Sequence, residues 1–429
     1  MGHIIKNFDS LATSQLRRQA LRIVEAGFLA IDTKAAVRKI IDYNQDKQIL
    51  IVDKRKHQLA GFERVICVGF GKAAFDAVSE LQSILADKIS CGFVIDLKEG
   101  DLGNIVCRVG EHPHPAKINI EATKELVSTL SDCTQKDLVI CVVSGGGSAL
   151  LCSPYEISCE MENLIFDALT KKGADIRELN TVRKHISRVK GGQLAKLIYP
   201  ATVINLIFSD VPGDDLSMVA SGPTVPDKTT IADAAKILKK YNALEACQMP
   251  ACKLVETPKE PKYFQNVQNV LVVSPKQALQ SMKEEAEILG FDVKIFSENF
   301  QGIASELGPQ IVAAGSQFRG CLLGAGESTV KIRGHGEGGR NQEMALAALP
   351  SILENQVLAC VASDGHDNTD TAGAIIDYGT LIRAKALGLD PAHFLADNDS
   401  FHFFEGVSGH LLTGQTGANA ADFFVCLKN

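Results

Sequence analysis

The sequence predicts an α/β protein whose first half forms a doubly wound parallel sheet and whose second half is a further α/β series. Its candidate strands are unbroken apolar runs, which are typical of strands covered on both faces in a parallel sheet. Segments with helical periodicity separate these strands, so strands and helices alternate along the chain. Glycine-rich turns follow several strands, and ligands of such sheets bind just outside the carboxyl ends of strands.

The first half contains five apolar, β-branched-rich runs that predict strands, at 63–70, 91–95, 105–109, 138–143 and 202–208. Amphipathic periodicity predicts helices over 10–30, 33–43, 71–86, 119–130, 159–172 and 175–187. Residues 242–267 combine three prolines with several lysines and little periodicity, which indicates a linker or domain edge. We therefore expect two domains, at 1–245 and 246–429.

The second half repeats the alternation of strands and helices. Strands are predicted at 269–274, 291–296, 320–324, 328–333, 357–363 and 422–427, and helices at 276–289, 303–314, 341–354 and 380–387. The run 328–333 alternates polar and apolar residues, as an exposed strand would.

Composition restricts the class of protein. The chain has 429 residues, of which 45% are hydrophobic and 22% charged, and these are ordinary values for a soluble globular protein. A net charge of -7 without a long basic run argues against nucleic acid as a partner. The N-terminus has no signal-peptide pattern and no stretch is long and apolar enough for a membrane helix, so we expect a cytoplasmic protein. The twelve cysteines include no CxxC pair, which favours reduced, buried thiols over a zinc site.

The central candidate site is the loop Ser144, Gly145, Gly146, Gly147 and Ser148, which follows the most apolar predicted strand. Three glycines let the backbone bend tightly, so that its N–H groups converge on an anion. A serine on each side adds a hydroxyl. The loop therefore predicts a cradle for phosphate or carboxylate, although a plain strand-to-helix turn would use the same residue types.

A second candidate is the segment from Gly69 to Ala74, which matches a relaxed dinucleotide-binding pattern, GxGxxA. Asp96 ends a later strand, where an acid that binds ribose would be expected, and this supports an oxidoreductase. Lys72 instead favours polyphosphate, because it places a positive charge at a helix N-terminus after a glycine turn. The segment is not a Walker A loop, since Ala73 stands where a serine or threonine should hold magnesium.

Two further segments of the first half carry polar clusters. Asn180, Arg183 and Lys184 share one face of a predicted helix, which indicates either an anion site or a solvated charged face. Asp210 follows the predicted strand 202–208 and begins a loop with further aspartates and hydroxyls. This loop suits a magnesium ion that keeps most of its water, or an ordinary turn.

The second half contains a dense glycine run, 334–339, directly before Arg340, Asn341 and Gln342 at a predicted helix start. Such a run lets the backbone approach a ligand, and Arg340 can fork onto phosphate or carboxylate oxygens. Glu327 stands in a second glycine-rich segment, 324–329, and Asp364 follows a predicted buried strand, where its carboxylate suits either a metal ion or an ordered loop. The run HPHP at 112–115 is interpreted as a turn, because no carboxylate or cysteine stands at ligand spacing.

Taken together, the motifs VGFGKAA, SGGGSALL, ELNTVRKHISRVKGGQLA, FSDVPGDDLSMVASGPTVPD, GESTV, GHGEGGRNQE and SDGHDNTDTAGA resemble the class II glycerate kinases, whose C-terminal half carries the name MOFRL. The resemblance runs in order from about residue 60 to the C-terminus. It implies two α/β/α domains, the first Rossmann-like, with the active site in the interdomain cleft. It also implies phosphorylation of the 2-hydroxyl of D-glycerate by ATP with Mg²⁺.

By position, the resemblance implies that Lys72 and Arg340 are the catalytic lysine and arginine, two cations that neutralise charge on the transferred phosphoryl group. It implies binding of phosphate or substrate at these residues: Ser144, Gly145, Gly146, Gly147, Ser148, Asn180, Arg183, Lys184, Asn341 and Gln342. Asp210 is the first choice for magnesium, followed by Glu327 and Asp364. The partners expected are ATP and a small hydroxy acid, with no nucleic acid and no membrane, for a monomer or a homodimer.

The chain departs from the family near its end. In the segment 415–421 the family pattern has proline at Gln415, threonine at Ala418 and asparagine at Ala421, and a glycine is missing after Asp367. These changes leave a different hydroxy acid open as acceptor. Two alternatives remain: an NAD(P)H-dependent hydroxypyruvate reductase, which is a name that some relatives bear, and a nucleotide-binding relative without catalytic activity.

Overall fold

A computed structural model describes residues 2–211, 215–247, 252–417 and 420–429. The helices are α1 Phe8–Leu11, α2 Gln15–Ala30, α3 Thr33–Ile40, α4 Ala74–Leu85, α5 Lys117–Leu130, α6 Gly147–Leu150, α7 Cys159–Lys171, α8 Ile176–His185, α9 Gln193–Ile198, α10 Ile231–Lys240, α11 Ala243–Ala246, α12 Pro275–Ile288, α13 Ala304–Ser316, α14 Arg340–Ala348, α15 Tyr378–Leu387, α16 Pro391–Ala396 and α17 Ser400–Val407. The strands are β1 Ile41–Asn44, β2 Ile49–Val52, β3 Arg55–Gln58, β4 Arg64–Phe70, β5 Cys91–Asp96, β6 Ile105–Val109, β7 Asp137–Ser144, β8 Thr202–Phe208, β9 Val267–Val273, β10 Val293–Ile303, β11 Gly320–Thr329, β12 Gln356–Val361, β13 Gly373–Asp377, β14 His410–Leu411 and β15 Asp422–Lys428. Within these residues, every helix is too short or too polar to cross a bilayer.

The chain divides into two compact units. The parallel-sheet unit comprises Ala36–Ser209 and Asp214–Val272, and the mixed-sheet unit comprises Met1–Ala35, Asp210–Gly213 and Val273–Asn429. Both units are therefore discontinuous in sequence. The division of the chain into domains 1–245 and 246–429 follows chain order and stays a prediction.

The parallel-sheet unit is built on six strands in the order β6-β5-β4-β7-β8-β9. The ladders β4–β5, β4–β7, β5–β6 and β7–β8 are parallel. Numbered within this sheet, the order is 3-2-1-4-5-6, which is that of the Rossmann fold. The predicted α/β class and the Rossmann-like parallel sheet are thus confirmed. The chain reverses its direction of travel across the sheet between β4 and β7, which places the carboxyl ends of these two strands side by side.

A small antiparallel sheet, β1-β2-β3, precedes the parallel sheet in the same unit. Its strands run from Ile41 to Gln58, where the predicted helix 33–43 ends at Ile40 and no strand was predicted. In β2, Leu50 and Val52 are buried while their neighbours are partly exposed. The strands are only four residues long, which is too short for a clear alternating signal.

The mixed-sheet unit has six strands in the order β10-β11-β15-β12-β13-β14. Only the ladder β10–β11 is parallel, whereas the ladders β11–β15, β12–β15, β12–β13 and β13–β14 are antiparallel. The C-terminal strand β15 lies between β11 and β12. The second α/β series predicted from the sequence is therefore present, with a sheet of mixed direction.

Adjacent phenylalanines of β15 show that helices cover both faces of the mixed sheet. Phe423 and Phe424 point to opposite faces because successive strand residues alternate. The ring of Phe423 meets Phe28 of α2 edge-on, with centroids 5.2 Å apart. Phe424 belongs to a buried cluster with residues of α13, α14 and α17. Helix α2 is held further by buried Arg17, whose guanidinium lies 3.2 Å from Asp377 at the start of α15.

Several element boundaries differ from the predictions. The predicted helix 10–30 is broken before Ser14, whose hydroxyl caps α2 by accepting a hydrogen bond from the backbone N–H of Arg17. The predicted strands 320–324 and 328–333 form one strand that ends at Thr329, because its last residues pair with the end of β10. Helix α14 ends at Ala348, since Pro350 cannot continue it. Four residues of the predicted linker, 248–251, lie outside the described residues.

The close contact of α13 with α14 depends on Gly308. A Cβ atom at Gly308 would overlap the carbonyl oxygen of Met344 in α14. We expect Gly308→Ala to lower the free energy of unfolding by about 1–3 kcal/mol, because the helices must separate to make room. Gly61→Ala is the control, since a Cβ at Gly61 would meet no atom within 4 Å. Urea unfolding followed by circular dichroism measures both. Equal stability of the two variants would contradict this account of the contact.

Candidate active site

The glycine loop and the Lys72 turn meet at the reversal point of the parallel sheet. The backbone N–H of Lys72 donates to the carbonyl oxygen of Gly145 at 2.9 Å, and the N–H of Ala73 donates to the hydroxyl of Ser144 at 3.1 Å. Gly71 makes this approach possible, because a Cβ at its φ of 115° would lie against Ser144. Two motifs that are more than 70 residues apart in sequence therefore form one surface, where ligands of this fold bind.

The ammonium group of Lys72 is free to bind a ligand. It makes no hydrogen bond or ion pair with any residue that the structure describes. The side chain of Lys72 runs beside Gly146, where an added Cβ would lie 3.1 Å from its Cγ. The backbone N–H groups of Gly145 and Gly146 likewise donate to no described residue. A cation and two open N–H donors next to each other make a site for an anion.

His112 lies at the same place, with its ring 3.3 Å from the Cβ position of Gly146. Burial and the nearby Lys72 lower the pKa of His112 to about 4, so the imidazole is neutral near pH 7. The sequence did not identify His112 as part of the site, because its HPHP run was interpreted only as a turn or as a metal site.

Ser148 is oriented by a buried chain of hydrogen bonds. The amide nitrogen of Asn180 donates to the carbonyl oxygen of Ile176 at 3.1 Å, so its amide oxygen faces Ser221. The hydroxyl of Ser221 donates to that oxygen at 2.7 Å. The hydroxyls of Ser148 and Ser221 are 2.9 Å apart, and because the Ser221 proton is used, Ser148 must donate to Ser221. Ser148 therefore has only lone pairs left, with which it can accept a hydrogen bond from a ligand.

Arg183 and Lys184 of α8 contact other side chains of the protein. The ammonium of Lys184 is buried and lies 3.1 Å from the Asp227 carboxylate. The guanidinium of Arg183 stacks on Phe166 at 4.2 Å from the ring centroid, and burial lowers its pKa. His185 is fully buried, and its ring nitrogens lie within hydrogen-bond distance of the Val255 carbonyl oxygen and the Thr229 hydroxyl, which indicates a structural role. This geometry favours structural roles for these side chains, and it leaves Asn180 as the α8 residue connected to the glycine loop.

Asp96, the residue expected to bind ribose in a reductase, is occupied by the protein itself. Its buried carboxylate accepts hydrogen bonds from the backbone N–H groups of Phe75 at 2.8 Å and Leu97 at 2.5 Å. Burial raises the pKa of Asp96, and these hydrogen bonds oppose the rise. A carboxylate committed to the first turn of α4 has little capacity left for ribose hydroxyls, and this weakens the support for a reductase.

Arg340 begins α14 in the mixed-sheet unit and is held by two carboxylates. Its Nε and one amino group donate to Asp422 at 2.5 and 3.1 Å, and the same amino group donates to Glu327 at 3.1 Å. The other amino group makes no hydrogen bond to a described residue. Burial raises the pKa of Asp422 to about 7, although Arg340 acts in the opposite direction. These contacts fix the guanidinium plane and leave one edge for a ligand.

Asn341 and Gln342 are fully buried and face inward. Their backbone N–H groups donate to the two oxygens of the Asp367 carboxylate, at 3.0 and 2.8 Å. Their side-chain amide nitrogens donate to Asp367 as well. The side-chain oxygens of Asn341 and Gln342 have no hydrogen-bond partner in the described residues. Asp367 thus caps the start of α14, and the two amides support the position of Arg340.

The glycine run 334–339 has a packing reason that the sequence does not reveal. Cβ atoms at Gly334, Gly336 and Gly338 would press against residues 397–400, and one at Gly339 would overlap Asp367. The run lines a cavity of about 690 Å³ that lies wholly within the mixed-sheet unit and includes Arg340. The glycines therefore allow a close-packed wall as well as access to a ligand.

The three candidate metal ligands do not gather into a protein-only cage. The described residues contain no group of three or more histidine, cysteine or acidic side chains placed to hold a metal ion. Glu327 is paired with Arg340, and Asp364 accepts a hydrogen bond from the backbone N–H of His366 at 3.0 Å. Asp210 follows β8 at the carboxyl end of the parallel sheet. In the altered segment 415–421, Ala418 and Asn419 lie outside the described residues.

The structure adds three residues to those identified from the sequence: His112, Ser221 and Asp422. Ser221 lies in the motif FSDVPGDDLSMVASGPTVPD, but only its contacts with Ser148 and Asn180 give it a role. Asp422 stood at the start of a predicted strand, and nothing in the sequence connects it with Arg340, 82 residues away.

The fold is α/β, and its two loop systems are candidate sites for anionic ligands such as phosphates. Comparison with known proteins identifies its family. Residues 19–256 match a family model described as a domain of unknown function, DUF4147, and residues 320–422 match the MOFRL family. The D-glycerate 2-kinase of Thermotoga maritima is 35% identical, over 85% of this chain and 91% of that protein. The glycerate 2-kinase of Pyrococcus horikoshii is 36% identical, over 96% and 97%.

Comparison with solved structures gives the same family. The crystal structure of glycerate kinase from Thermotoga maritima matches with a TM-score of 0.83 at 33% identity, covering 95% of this chain and 98% of that chain. A protein of Agrobacterium vitis that is provisionally named hydroxypyruvate reductase is 33% identical, over 91% of this chain and 94% of that protein. The chain belongs to the glycerate kinase family with DUF4147 and MOFRL domains, and the resemblance found in the sequence is confirmed.

The raised pKa of Asp422 predicts a pH dependence of stability. In the folded protein the group titrates near 7 instead of 3.8, so the folded state holds a proton that the unfolded chain releases between these values. The contribution of Asp422 to stability therefore falls as the pH rises from about 4 to 7. We expect the wild type to lose stability relative to Asp422→Asn between pH 5 and pH 8, measured by urea unfolding. A relative gain by the wild type over this range would contradict the burial of the carboxyl group as the dominant effect.

Proposed function

We propose that the protein transfers the γ-phosphoryl group of ATP to the 2-hydroxyl of D-glycerate, giving 2-phosphoglycerate and ADP. The names of the relatives from Thermotoga maritima and Pyrococcus horikoshii support this reaction. The observation that carries the proposal is the unpaired Lys72 ammonium beside Gly146, at the reversal point of a sheet in the Rossmann order. Lys72 is partly buried, and it lies beside N–H donors that have no acceptor among the described residues.

Lys72 is proposed as one catalytic cation. Phosphoryl transfer needs little covalent chemistry from a protein, and catalysis comes mainly from positioning and from neutralising charge on the phosphoryl oxygens. An ammonium that no carboxylate of the described residues neutralises supplies its full charge to this task. The N–H groups of Gly145 and Gly146 add fixed dipoles, and the neutral His112 adds no competing charge.

Ser148 is proposed to position the alcohol that accepts the phosphoryl group. Its hydroxyl proton is donated to Ser221, so toward a ligand Ser148 can only accept a hydrogen bond. Lone pairs repel the oxygens of a phosphate or carboxylate, whereas they attract the proton of a hydroxyl group. Ser148 therefore suits the alcohol of a hydroxy acid, and the N–H groups and Lys72 suit its anionic partners.

Arg340 is proposed as the second catalytic cation. Asp422 and Glu327 offset much of its charge, but they also fix the plane of the guanidinium. The amino group without a described partner is left to bind a phosphate oxygen, and a pre-oriented donor loses less entropy on binding.

Mg²⁺ is proposed to accompany ATP. The absence of a three-ligand cage in the described part of the chain fits this ion, because Mg²⁺ keeps several waters and binds through one or two carboxylates together with substrate phosphates. Asp210 is the first choice of ligand, followed by Glu327 and Asp364. The ion would neutralise phosphate charge. The acceptor itself is open to a related hydroxy acid, because residues 415–421 depart from the family pattern.

The test is an ADP-release assay with ATP, magnesium and D-glycerate, run beside an NADH-oxidation assay with hydroxypyruvate. We expect ADP release that requires glycerate, with about a 100-fold or greater loss in Lys72→Ala and in Arg340→Ala. Lys239→Ala and Arg319→Ala remove equally charged, exposed residues and should leave the rate unchanged. Because Arg340→Ala leaves Asp422 buried without its partner, Arg340→Lys serves as a second variant that keeps the charge.

Three other results would contradict the proposal, two of them in the reaction and one only in the acceptor. NADH oxidation without ADP release would assign the chain to the reductases and restore a role for the GxGxxA segment. Nucleotide binding without either activity would make it a non-catalytic relative. ADP release with another hydroxy acid, but not with glycerate, would place the difference in acceptor choice and point to residues 415–421.

The orientation of Ser148 gives a separate prediction. Removing the hydroxyl in Ser221→Ala lets Ser148 rotate and donate, so we expect the KM for glycerate to rise about 3- to 10-fold with little change in the KM for ATP. In a Ser148→Ala background the same Ser221→Ala change should have no further effect on the KM. A purely structural role for Ser221 would instead give equal effects in both backgrounds, which a double-mutant cycle distinguishes.

A further inference from the structure

The cavity of about 690 Å³ in the mixed-sheet unit is much larger than a three-carbon acid requires and falls in the range of small-molecule sites. It is bounded by the end of β11, the glycine run and the start of α14. All of its lining residues belong to the mixed-sheet unit.

One wall of the cavity is apolar. Val330 and Ile332 follow β11 and line the cavity, and Ile332 is 81% exposed. A large aliphatic side chain this exposed gains nothing from its own protein. At the rim of a cavity it provides a surface on which a flat ring can pack.

Glycines and polar side chains form the rest of the cavity wall, and several of these side chains are hydrogen-bond acceptors. Ser328 is 1% exposed, and its hydroxyl has no hydrogen-bond partner in the described residues. A buried hydroxyl without a partner is costly, so a polar ligand group is expected there. Glu343 is 4% exposed and accepts a hydrogen bond from Asn398 at 3.0 Å. Burial raises the pKa of Glu343. Two carboxylates in this wall, Glu343 and Asp367, disfavour an anionic ligand and favour hydroxyl and amino groups.

The cationic end of the cavity is Arg340, which donates to Asp422 and Glu327 and keeps one amino group free. The cavity therefore changes from an apolar and acceptor-lined part to a phosphate-binding end. A nucleotide has the same sequence of properties: a flat base, a ribose with hydroxyls, and phosphates.

We infer that this cavity binds the nucleoside part of the nucleotide, with the base against Val330 and Ile332, the ribose toward Ser328 and Glu343, and the phosphates toward Arg340. The inference rests on the proposed kinase function, because that function supplies the nucleotide. It adds the binding site for the part of ATP that does not react.

The test measures binding without turnover, by calorimetry with ADP and, separately, with inorganic tripolyphosphate. Ile332→Asp should weaken ADP binding at least 10-fold and leave tripolyphosphate binding unchanged, since only the base meets this side chain. Ser328→Ala should weaken ADP binding several-fold. Ile288→Asp is the matched control, an isoleucine that is 75% exposed in α12 and lies outside the cavity lining.

The results separate this inference from the proposed function. Unchanged ADP affinity in Ile332→Asp, or an equal loss for tripolyphosphate, would overturn the nucleoside site even if the enzyme releases ADP with glycerate. Loss of ADP binding in Ile332→Asp alone would support the site even if no kinase activity is found. The unfolding midpoint of Ile332→Asp should equal that of Ile288→Asp. If Ile332→Asp instead has a lower midpoint and also loses tripolyphosphate binding, the loss of ADP binding is due to unfolding and the nucleoside site is not supported.

Discussion

The order of strands in the parallel sheet determines where this protein can present an unpaired charge. Because β4 and β7 are neighbours although β5 and β6 lie between them in sequence, their carboxyl ends open side by side. The hydrogen bond from the Lys72 N–H to the Gly145 carbonyl oxygen joins the loops that follow β4 and β7, and Gly71 lets the two backbones approach. The side chain of Lys72 then lies beside Gly146 and forms no ion pair with a carboxylate of the described residues. The proposed anion site thus follows from the strand order and from two glycines, Gly71 and Gly146.

The two proposed catalytic cations are prepared in opposite ways. Lys72 has no described partner, so it attracts anions with its whole charge, but four rotatable bonds leave its position loose. Arg340 is fixed by Asp422 and Glu327, which reduces its attraction and improves its orientation. Asp422 is itself buried, and its pKa of about 7 shows that the ionised carboxylate is costly there. Holding the guanidinium of Arg340 in one plane therefore lowers the stability of the mixed-sheet unit. This loss of stability is understandable if the orientation of Arg340 is needed for function.

The sequence predicted the features that are local in the chain. Apolar runs located β4, β7 and β8, and glycine runs located the two loop systems, because periodicity and turn residues report local structure directly.

The features that the sequence could not predict depend on contacts between distant residues. The strands β1–β3 are too short to show a pattern, and the insertion of β15 between β11 and β12 is decided by sheet pairing. Likewise, Asp422 beside Arg340 and Ser221 beside Ser148 carry no signal until the fold brings them together. For Lys184 the sequence indicated either an anion site or a solvated charged face. The fold instead pairs its ammonium with Asp227, a contact that the sequence pattern does not show.

Glycines illustrate why a motif can be located correctly and yet explained only in part. The run 334–339 was interpreted as a ligand loop because few turns need so many glycines. In the structure, the chain lies directly against residues 397–400 and Asp367, and it can do so because glycines have no Cβ. That packing forms the wall of the cavity and brings Arg340 to its end. Packing and binding are therefore not competing explanations here: the glycines are required for the wall, and the wall gives the cavity its shape.

A substitution such as Gly338→Ala would disturb stability and ligand binding together. For this reason the exposed Ile332, which no packing requires, is the better position at which to test what the cavity binds.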